Sequence, residues 1–133
     1  MTTVNDCYNI ALNNVSVESG TLTFIEQIGF DIKRVYYISN IPYDAERGAH
    51  AHKELYQLIT AINGQFTIEL DDTINTKTIR LTDGVGLIVV PGIWRNIKRF
   101  TATAVCLVLA SEVYKENDYI RDYEQFKQLK NEY

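Results

Sequence analysis

Runs of strand length, in which apolar and polar residues alternate, occupy most of the chain. These runs are rich in the Tyr, Val, Ile and Thr residues that suit a pleated surface. Asn63-Gly64 is a strong signal for a tight hairpin turn, and Asp71-Asp72 and Asp83-Gly84 mark two further turns. Such strands, spaced roughly 8–12 residues apart, indicate an all-β sandwich or barrel, and we predict a jelly roll. The predicted strands cover residues 22–28, 33–39, 55–62, 65–70, 76–81, 86–90, 93–100 and 102–110.

The two ends of the chain differ from this pattern. Between residues 118 and 129, apolar side chains recur at three- and four-residue spacing, which predicts one short C-terminal helix. Near the N-terminus, residues 8–12 form a weak strand pattern without a local partner. No repeat, low-complexity tract or linker interrupts the sequence, so we expect residues 1–133 to form a single domain.

The composition argues against several classes of function. The chain has 13 Lys and Arg against 17 Asp and Glu, a net charge of -4, and lacks the basic stripe of a nucleic-acid binder. Its longest apolar runs, 85–91 and 102–110, are too short to span a membrane. The first residues lack the basic start and apolar core of a signal peptide, so we expect a cytoplasmic protein. Cys7 and Cys106 lie far apart without CxxC spacing, which favours core or surface thiols over a zinc knuckle or a disulfide framework.

The residues best suited to chemistry lie between positions 47 and 53. The chain has two histidines, His50 and His52, and both occur in this segment. Side chains two residues apart on a strand point to the same face, so both imidazoles project together. Small alanines flank the rings, and Arg47 lies just upstream. A pair of surface histidines is the simpler interpretation, but this unobstructed arrangement favours a functional site.

Metal binding by the two histidines is disfavoured. A catalytic metal commonly needs about three protein ligands, and the chain offers no third histidine. Gln57 stands where a carboxylate ligand would fall, and Glu54 would place three ligands in a row along one strand. An acid–base pair is the better use of two such imidazoles, because imidazole titrates near neutral pH. We therefore expect neither a metal nor another cofactor.

Aromatic and basic residues elsewhere leave alternatives open. Tyr36 and Tyr37 are adjacent on a predicted strand, so one faces the barrel interior and the other faces outward. Trp94 and Arg95 are adjacent and allow two interpretations. Either Trp94 simply packs while Arg95 is a solvated charge, or Trp94 stacks against a nucleotide base while Arg95 binds a phosphate. Arg121 is most simply a surface charge.

Five sequence blocks stand out: Arg34-Val35-Tyr36-Tyr37, Arg47-Gly48-Ala49-His50-Ala51-His52-Lys53, Gly64, Pro91-Gly92-Ile93-Trp94 and Tyr119-Ile120-Arg121-Asp122-Tyr123. Together they are similar to the cupin-type nucleotide-sugar 3,4-ketoisomerases, which act on dTDP-4-keto-6-deoxyglucose. The similarity extends over residues 33–126, and its most specific part is the Arg-Gly-x-His-Ala-His-Lys block. The wider cupin motifs are also recognisable, but Gln57 replaces a glutamate ligand and Trp94-Arg95 replaces a histidine.

The resemblance implies a cupin-type jelly-roll barrel that moves a keto group from C4 to C3 through an enediol, without metal or cofactor. It implies His50 and His52 as proton-transfer groups, with His50 favoured as the carbon base. Tyr37 would act as a hydrogen-bond donor or acid on the O3 and O4 side of the sugar. Arg47 would stabilise the enolate or hold the pyrophosphate. The substrate-binding residues would be Lys53, Trp94, Arg95 and Arg121, and Arg95 would influence the C4 configuration of the product.

The same resemblance implies partners. We expect a homodimer, with the N-terminal ~20 residues exchanged as strands between subunits, since an unpaired edge strand favours association. The product would pass to a PLP-dependent aminotransferase in the synthesis of 3-amino-3,6-dideoxyhexoses for surface glycans such as the lipopolysaccharide O-antigen. Two alternatives remain at this point: a 3,5-epimerase-like enzyme and a non-catalytic sugar-nucleotide-binding cupin.

Overall fold

Two antiparallel five-stranded sheets face each other in the computed structural model, which describes residues 1–132. The first sheet has the strand order β1-β9-β6-β11-β4 and the second has the order β12-β5-β10-β7-β8. Strands β2 and β3 form a separate hairpin. The strands are β1 (Tyr8–Ala11), β2 (Asn13–Val17), β3 (Gly20–Phe24), β4 (Arg34–Ile38), β5 (Arg47–His52), β6 (Gln57–Asn63), β7 (Phe66–Asp71), β8 (Thr76–Leu81), β9 (Val85–Val89), β10 (Trp94–Lys98), β11 (Val105–Ala110) and β12 (Tyr119–Ile120).

The main core lies between the two sheets. The first sheet contributes inward-facing side chains such as Ile59 and Val108, and the second contributes Ile68, Leu81 and Ile97. Each is nearly or fully buried, and burying such a side chain stabilises the fold by about 1.5–3 kcal/mol. Alternation along each strand therefore produces the predicted all-β jelly roll.

The turn predicted at Asn63-Gly64 joins β6 to β7. Gly64 has a φ of +67°, a conformation that favours glycine. A Cβ at this position would also lie 2.8 Å from the Ala104 Cα and collide with the Thr101 hydroxyl. The glycine is therefore required both by the turn and by the close approach of the loop before β11.

The C-terminal helix begins later than predicted. Helix α1 spans Tyr123–Asn131, and the Asp122 side chain caps it by accepting hydrogen bonds from the backbone N–H groups of Glu124 and Gln125. The preceding residues form a short 3-10 turn, Glu116–Asp118, and then β12, which pairs with β5. The helical spacing of the aromatic residues does not reveal this pairing, because a two-residue strand is too short to show alternation.

The N-terminal strand is present as predicted and finds its partner far away in the sequence. Residues Tyr8–Ala11 pair with β9 of the same chain, so this strand has a partner that is distant in sequence. The segment without a partner sheet is instead the β2–β3 hairpin, whose residues are all exposed. The sequence pattern predicted a strand at 22–28 and missed the first strand of this hairpin.

Candidate active site

A cleft of about 560 Å³ opens between the two sheets on the side where β4, β5, β6 and β10 meet. Its lining is mainly polar and carries four arginines but only one histidine. The polar residues that line it are Arg34, Tyr36, Arg47, His50, Gln57, Arg95, Tyr119 and Arg121.

The two histidines stand one behind the other on β5. His50 lines the cleft, whereas His52 is fully buried behind it. Their Nε2 atoms are 3.1 Å apart, within hydrogen-bonding distance. The other ring nitrogen of His52, Nδ1, lies 2.9 Å from the Asp118 carboxylate. The predicted pair therefore forms the first two members of a three-residue chain that ends on a carboxylate.

Burial and nearby arginines keep both imidazoles neutral. Desolvation, followed by the charge of Arg95, lowers the pKa of His50 and of His52 to about 2. Arg121 lowers both pKa values further. Both rings are therefore neutral near pH 7 in this environment, and a neutral imidazole is the form that can accept a proton.

Tyr36, not Tyr37, places its hydroxyl in the cleft. Tyr36 pairs with Val108 of the main core, and its hydroxyl accepts a 3.2 Å hydrogen bond from Gln57 Nε2. Burial raises the pKa of this hydroxyl, so it is protonated and able to donate. Tyr37 borders the cleft, but its side chain is 66% exposed on the face shared with Leu107. The geometry of the cleft therefore favours Tyr36 over the predicted Tyr37 as the source of this hydroxyl.

Arg95 forms the floor of the cleft and is almost completely buried. Its Nη1 donates a 2.6 Å hydrogen bond to Gln57 Oε1, and its Nη2 donates a 3.0 Å bond to the Ile93 carbonyl. Burial lowers the pKa of Arg95 to about 10, which leaves it positively charged at neutral pH. Within residues 1–132 its Nε has no hydrogen-bond partner and no carboxylate pairs with its charge. A buried positive charge therefore faces the cleft with only neutral partners.

Three further arginines lie nearer the cleft mouth. Arg121 stacks over the Tyr119 ring, 4.2 Å from its centroid, and forms a bidentate ion pair with Glu116 at 2.7 and 3.0 Å. Arg34 stacks over Tyr36 at 4.6 Å. Arg47 is exposed at the rim. The cleft is thus a basic pocket in an otherwise acidic protein.

Two predicted substrate-binding residues lie outside this cleft. Trp94 points to the opposite face of β10 from Arg95 and packs against α1, with its ring 5.3 Å from Tyr123 and 5.7 Å from Phe126. Lys53 is exposed beyond the end of β5 and lines a different cavity. Strand alternation accounts for the position of Trp94, because it directs this ring and the adjacent Arg95 to opposite faces of β10 and leaves Trp94 with the packing interpretation.

Gln57, Tyr119 and Asp118 are the site residues that sequence analysis missed. Gln57 was noted only as a missing metal ligand, yet it links Tyr36 to Arg95. The Tyr119 ring lies 4.9 Å from His50 and 4.3 Å from His52. Asp118 is 66 positions from His52, so no local pattern connects them.

In the described part of the chain, no three His, Cys, Asp or Glu side chains converge in a way that could hold a metal ion. Arg95 and Arg121 also place positive charge near the histidine pair, which opposes a cation. Among residues 1–132, no helix is both long enough and apolar enough to cross a membrane.

Comparison with known proteins identifies the family. Residues 5–131 match the family model described as "FdtA: WxcM-like, C-terminal". The chain belongs to the FdtA family. An Aneurinibacillus thermoaerophilus member, TDP-4-oxo-6-deoxy-alpha-D-glucose-3,4-oxoisomerase, is 44% identical over 112 residues, which are 81% of each chain. The similarity to 3,4-ketoisomerases predicted from the sequence blocks is therefore confirmed.

Solved structures of FdtA-like enzymes show the same fold. QdtA, a sugar 3,4-ketoisomerase from Thermoanaerobacterium thermosaccharolyticum solved with TDP, superposes with a TM-score of 0.94 at 40% identity over 98% of each chain. A QdtA variant with one histidine changed to asparagine, solved with TDP-4-keto-6-deoxyglucose, gives a TM-score of 0.91 at 41% identity, covering 95% of this chain and 94% of that one. The predicted cupin-type jelly roll is therefore confirmed.

Proposed function

We propose that the protein is a sugar-nucleotide 3,4-ketoisomerase that converts dTDP-4-keto-6-deoxyglucose into a dTDP-3-keto-6-deoxyhexose. The observation that carries this proposal is a neutral, half-buried imidazole, His50, that lines a cleft whose floor is a buried cation, Arg95. Such a pair is suited to removing a proton next to a carbonyl and stabilising the oxyanion that results. The named activity of the relatives at 40–44% identity supports the same reaction.

The reaction begins with proton transfer from C3 of the sugar to His50. The adjacent C4 carbonyl acidifies this hydrogen, and the electron pair of the broken C–H bond forms the enediolate. Arg95 stabilises the negative charge on oxygen, and the protonated Tyr36 hydroxyl exchanges a proton with O3 or O4. A proton then returns to C4 and the ketone forms at C3. One carbon is oxidised as its neighbour is reduced, so the reaction needs no external oxidant or reductant.

The basic residues near the mouth suit the nucleotide part of the substrate. A diphosphate carries negative charge, and Arg34, Arg47 and Arg121 offer planar guanidinium groups for it. Arg121 is also paired with Glu116, which partly neutralises its charge. A bound dianion also offsets the arginine charges that lower the His50 pKa. Substrate binding therefore counters the arginine contribution to the lowered pKa of His50, while the larger contribution from burial remains.

Proton NMR of dTDP-4-keto-6-deoxyglucose in D₂O with metal-free protein tests the reaction. We expect resonances of a 3-keto sugar with deuterium at C4, because the proton passes through an exchanging base. Retention of the 4-ketone with deuterium at C3 or C5 would instead indicate an epimerase. Nucleotide binding without any turnover would indicate a binding module.

The reaction product suggests where this enzyme acts. A 3-keto sugar is the substrate type that a PLP-dependent aminotransferase needs to make a 3-amino-3,6-dideoxyhexose, and we propose such an enzyme as the next step in forming surface glycans such as O-antigen.

Cys7 and Cys106 are both buried free thiols. Free thiols are typical of a reducing compartment, which supports a cytoplasmic location.

We also propose that the chain forms a homodimer through the β2–β3 hairpin. One hairpin face carries Val15, Val17, Leu22 and Phe24, which are 37–62% exposed, whereas the other face is polar. An exposed apolar face of this kind marks an interaction site. The exposed Val35 and Tyr37 on the outer face of the first sheet offer an apolar surface on which a partner's hairpin can pack.

Light scattering after size exclusion tests the dimer. The wild-type protein is expected to have the mass of two chains, and the V15D/L22D variant the mass of one, because this cross-strand pair would bring charge into the interface. The matched control is S16D/T21D, which changes the neighbouring pair on the polar face and should remain dimeric. A single-chain mass for the wild-type protein would overturn the proposal.

A further inference from the structure

Asp118 is held firmly behind the histidine pair. Its Oδ2 lies 2.9 Å from His52 Nδ1, and its Oδ1 accepts a 2.8 Å hydrogen bond from the backbone N–H of Glu54. Its backbone carbonyl accepts another from the N–H of Lys53 at 3.0 Å. The carboxylate is only 12% exposed. The 3-10 turn that ends at Asp118 is thus fastened to the end of β5 by three contacts.

The direction of each hydrogen bond in this chain is fixed by chemistry. An ionised carboxylate only accepts, so the proton of neutral His52 must lie on Nδ1. Its Nε2 is then an acceptor, and the 3.1 Å contact requires His50 to donate from its own Nε2. The single ring proton of His50 is thereby used, and its Nδ1 is left with a free electron pair.

We propose that Asp118 is a positioning residue that fixes opposite tautomers on the two histidines and makes Nδ1 of His50 the basic nitrogen of the cleft. His52 is then also a positioning residue, because it does not reach the cleft and transmits the orientation of the carboxylate. The catalytic part of this inference rests on the proposed function, but the tautomers themselves do not.

The same chain accommodates the proton taken from the substrate. As the C3–H bond breaks, an N–H bond forms at His50 Nδ1 and the electron pair stays on the sugar as the enediolate. The Nε2–H of His50 can then move to His52 Nε2, which places the positive charge beside Asp118. Return of both protons restores the starting state as C4 is protonated. The charges of Arg34, Arg95 and Arg121 oppose a cation on the histidines. Glu116 is engaged by Arg121, so the carboxylate in direct contact with the histidine pair is that of Asp118.

Asp118→Asn is the decisive substitution because it keeps the shape and changes the donor pattern. The backbone N–H of Glu54 needs the one remaining carbonyl oxygen, which turns the amide NH₂ toward His52 Nδ1. His52 must then carry its proton on Nε2, and His50 must carry its own on Nδ1. The variant therefore removes the free electron pair from the basic nitrogen of His50. Asp122→Asn is the matched control, since Asp122 caps α1 and asparagine caps a helix equally well.

Long-range ¹H–¹⁵N NMR of untagged protein near pH 7 reads the tautomers directly, since the chain has only two histidines. In the wild-type protein and in Asp122→Asn we expect His52 to carry its proton on Nδ1 and His50 on Nε2, with the signals assigned by substituting each histidine. In Asp118→Asn the two protonation sites should be reversed, with His52 protonated on Nε2 and His50 on Nδ1. Identical tautomers on the two wild-type rings, or a wild-type His52 with its proton on Nε2, would overturn the inference even if Asp118→Asn fails to fold.

Turnover provides the second readout. Asp118→Asn is expected to lower kcat about 100-fold or more, with KM within about 3-fold of wild type, because the substrate contacts remain and the base is lost. Asp118→Glu keeps a carboxylate and should recover part of kcat. An unchanged kcat in Asp118→Asn would reject the positioning role. If the wild-type protein has no isomerase activity but shows the expected tautomers, the proposed function fails and the tautomer assignment stands.

Discussion

Replacing His50 with asparagine is expected to lower kcat by about 10²–10⁴-fold, the range in which a general acid–base group contributes. Asparagine is similar in size and forms hydrogen bonds, but it cannot accept a proton at neutral pH. His50 is the histidine that lines the cleft, whereas His52 is fully buried behind it. The measurement is single-turnover conversion of dTDP-4-keto-6-deoxyglucose, followed by proton NMR.

Binding must be measured in the same variant, because a collapsed cleft would also abolish turnover. The Kd for TDP is expected to stay within about 3-fold of wild type, since the arginines near the mouth are unchanged. Ala49→Asn is the matched control: it places the same side chain one residue earlier on β5, at an exposed position. Turnover within about 10-fold of wild type in His50→Asn would contradict its role as the carbon base.

The sequence could predict those parts of the site that depend on alternation along one strand. The spacing of His50 and His52 places both rings on one face, and β5 confirms that they meet. The strand pattern likewise predicts the jelly roll, because each strand buries one face of its own sequence. Period-two alternation also shows that Tyr36 and Tyr37 face opposite ways, but it does not show which of them faces inward. That choice depends on the register with β11, where Tyr36 lies opposite Val108.

Long-range contacts account for what the sequence could not reveal. Asp118 reaches His52 only because β12 pairs with β5, and a two-residue strand leaves no pattern. The N-terminal strand finds its partner in β9, about 80 residues away, a connection that local spacing cannot encode. Arg95 shows the opposite difficulty, since an arginine in a sequence is normally assigned to the surface. Its burial follows from its place opposite His50 in the second sheet.

The burial of Arg95 leads to a prediction in which activity and stability separate. Arg95→Met is expected to lower kcat/KM by about 10²–10³-fold, the usual effect of removing one preorganised donor to an oxyanion. The free energy of unfolding should meanwhile stay within about 1 kcal/mol of wild type or rise. Exchanging even a buried ion pair for apolar side chains of similar volume is often neutral or stabilising by about 1–4 kcal/mol, because desolvation of charge is costly. The lost bonds to Gln57 Oε1 and the Ile93 carbonyl oppose this gain.

Urea unfolding and steady-state kinetics on the same preparations measure both effects. Arg80→Met is the matched control, because Arg80 also donates hydrogen bonds to neutral oxygens, those of Thr67 and Arg99, but is exposed and away from the cleft. It should leave kcat/KM unchanged. A loss of more than about 3 kcal/mol in Arg95→Met would mean that the guanidinium holds the two sheets together. Retained stability with lost activity would mean that the fold tolerates a buried, unpaired charge because the reaction requires a cation beside the developing enediolate.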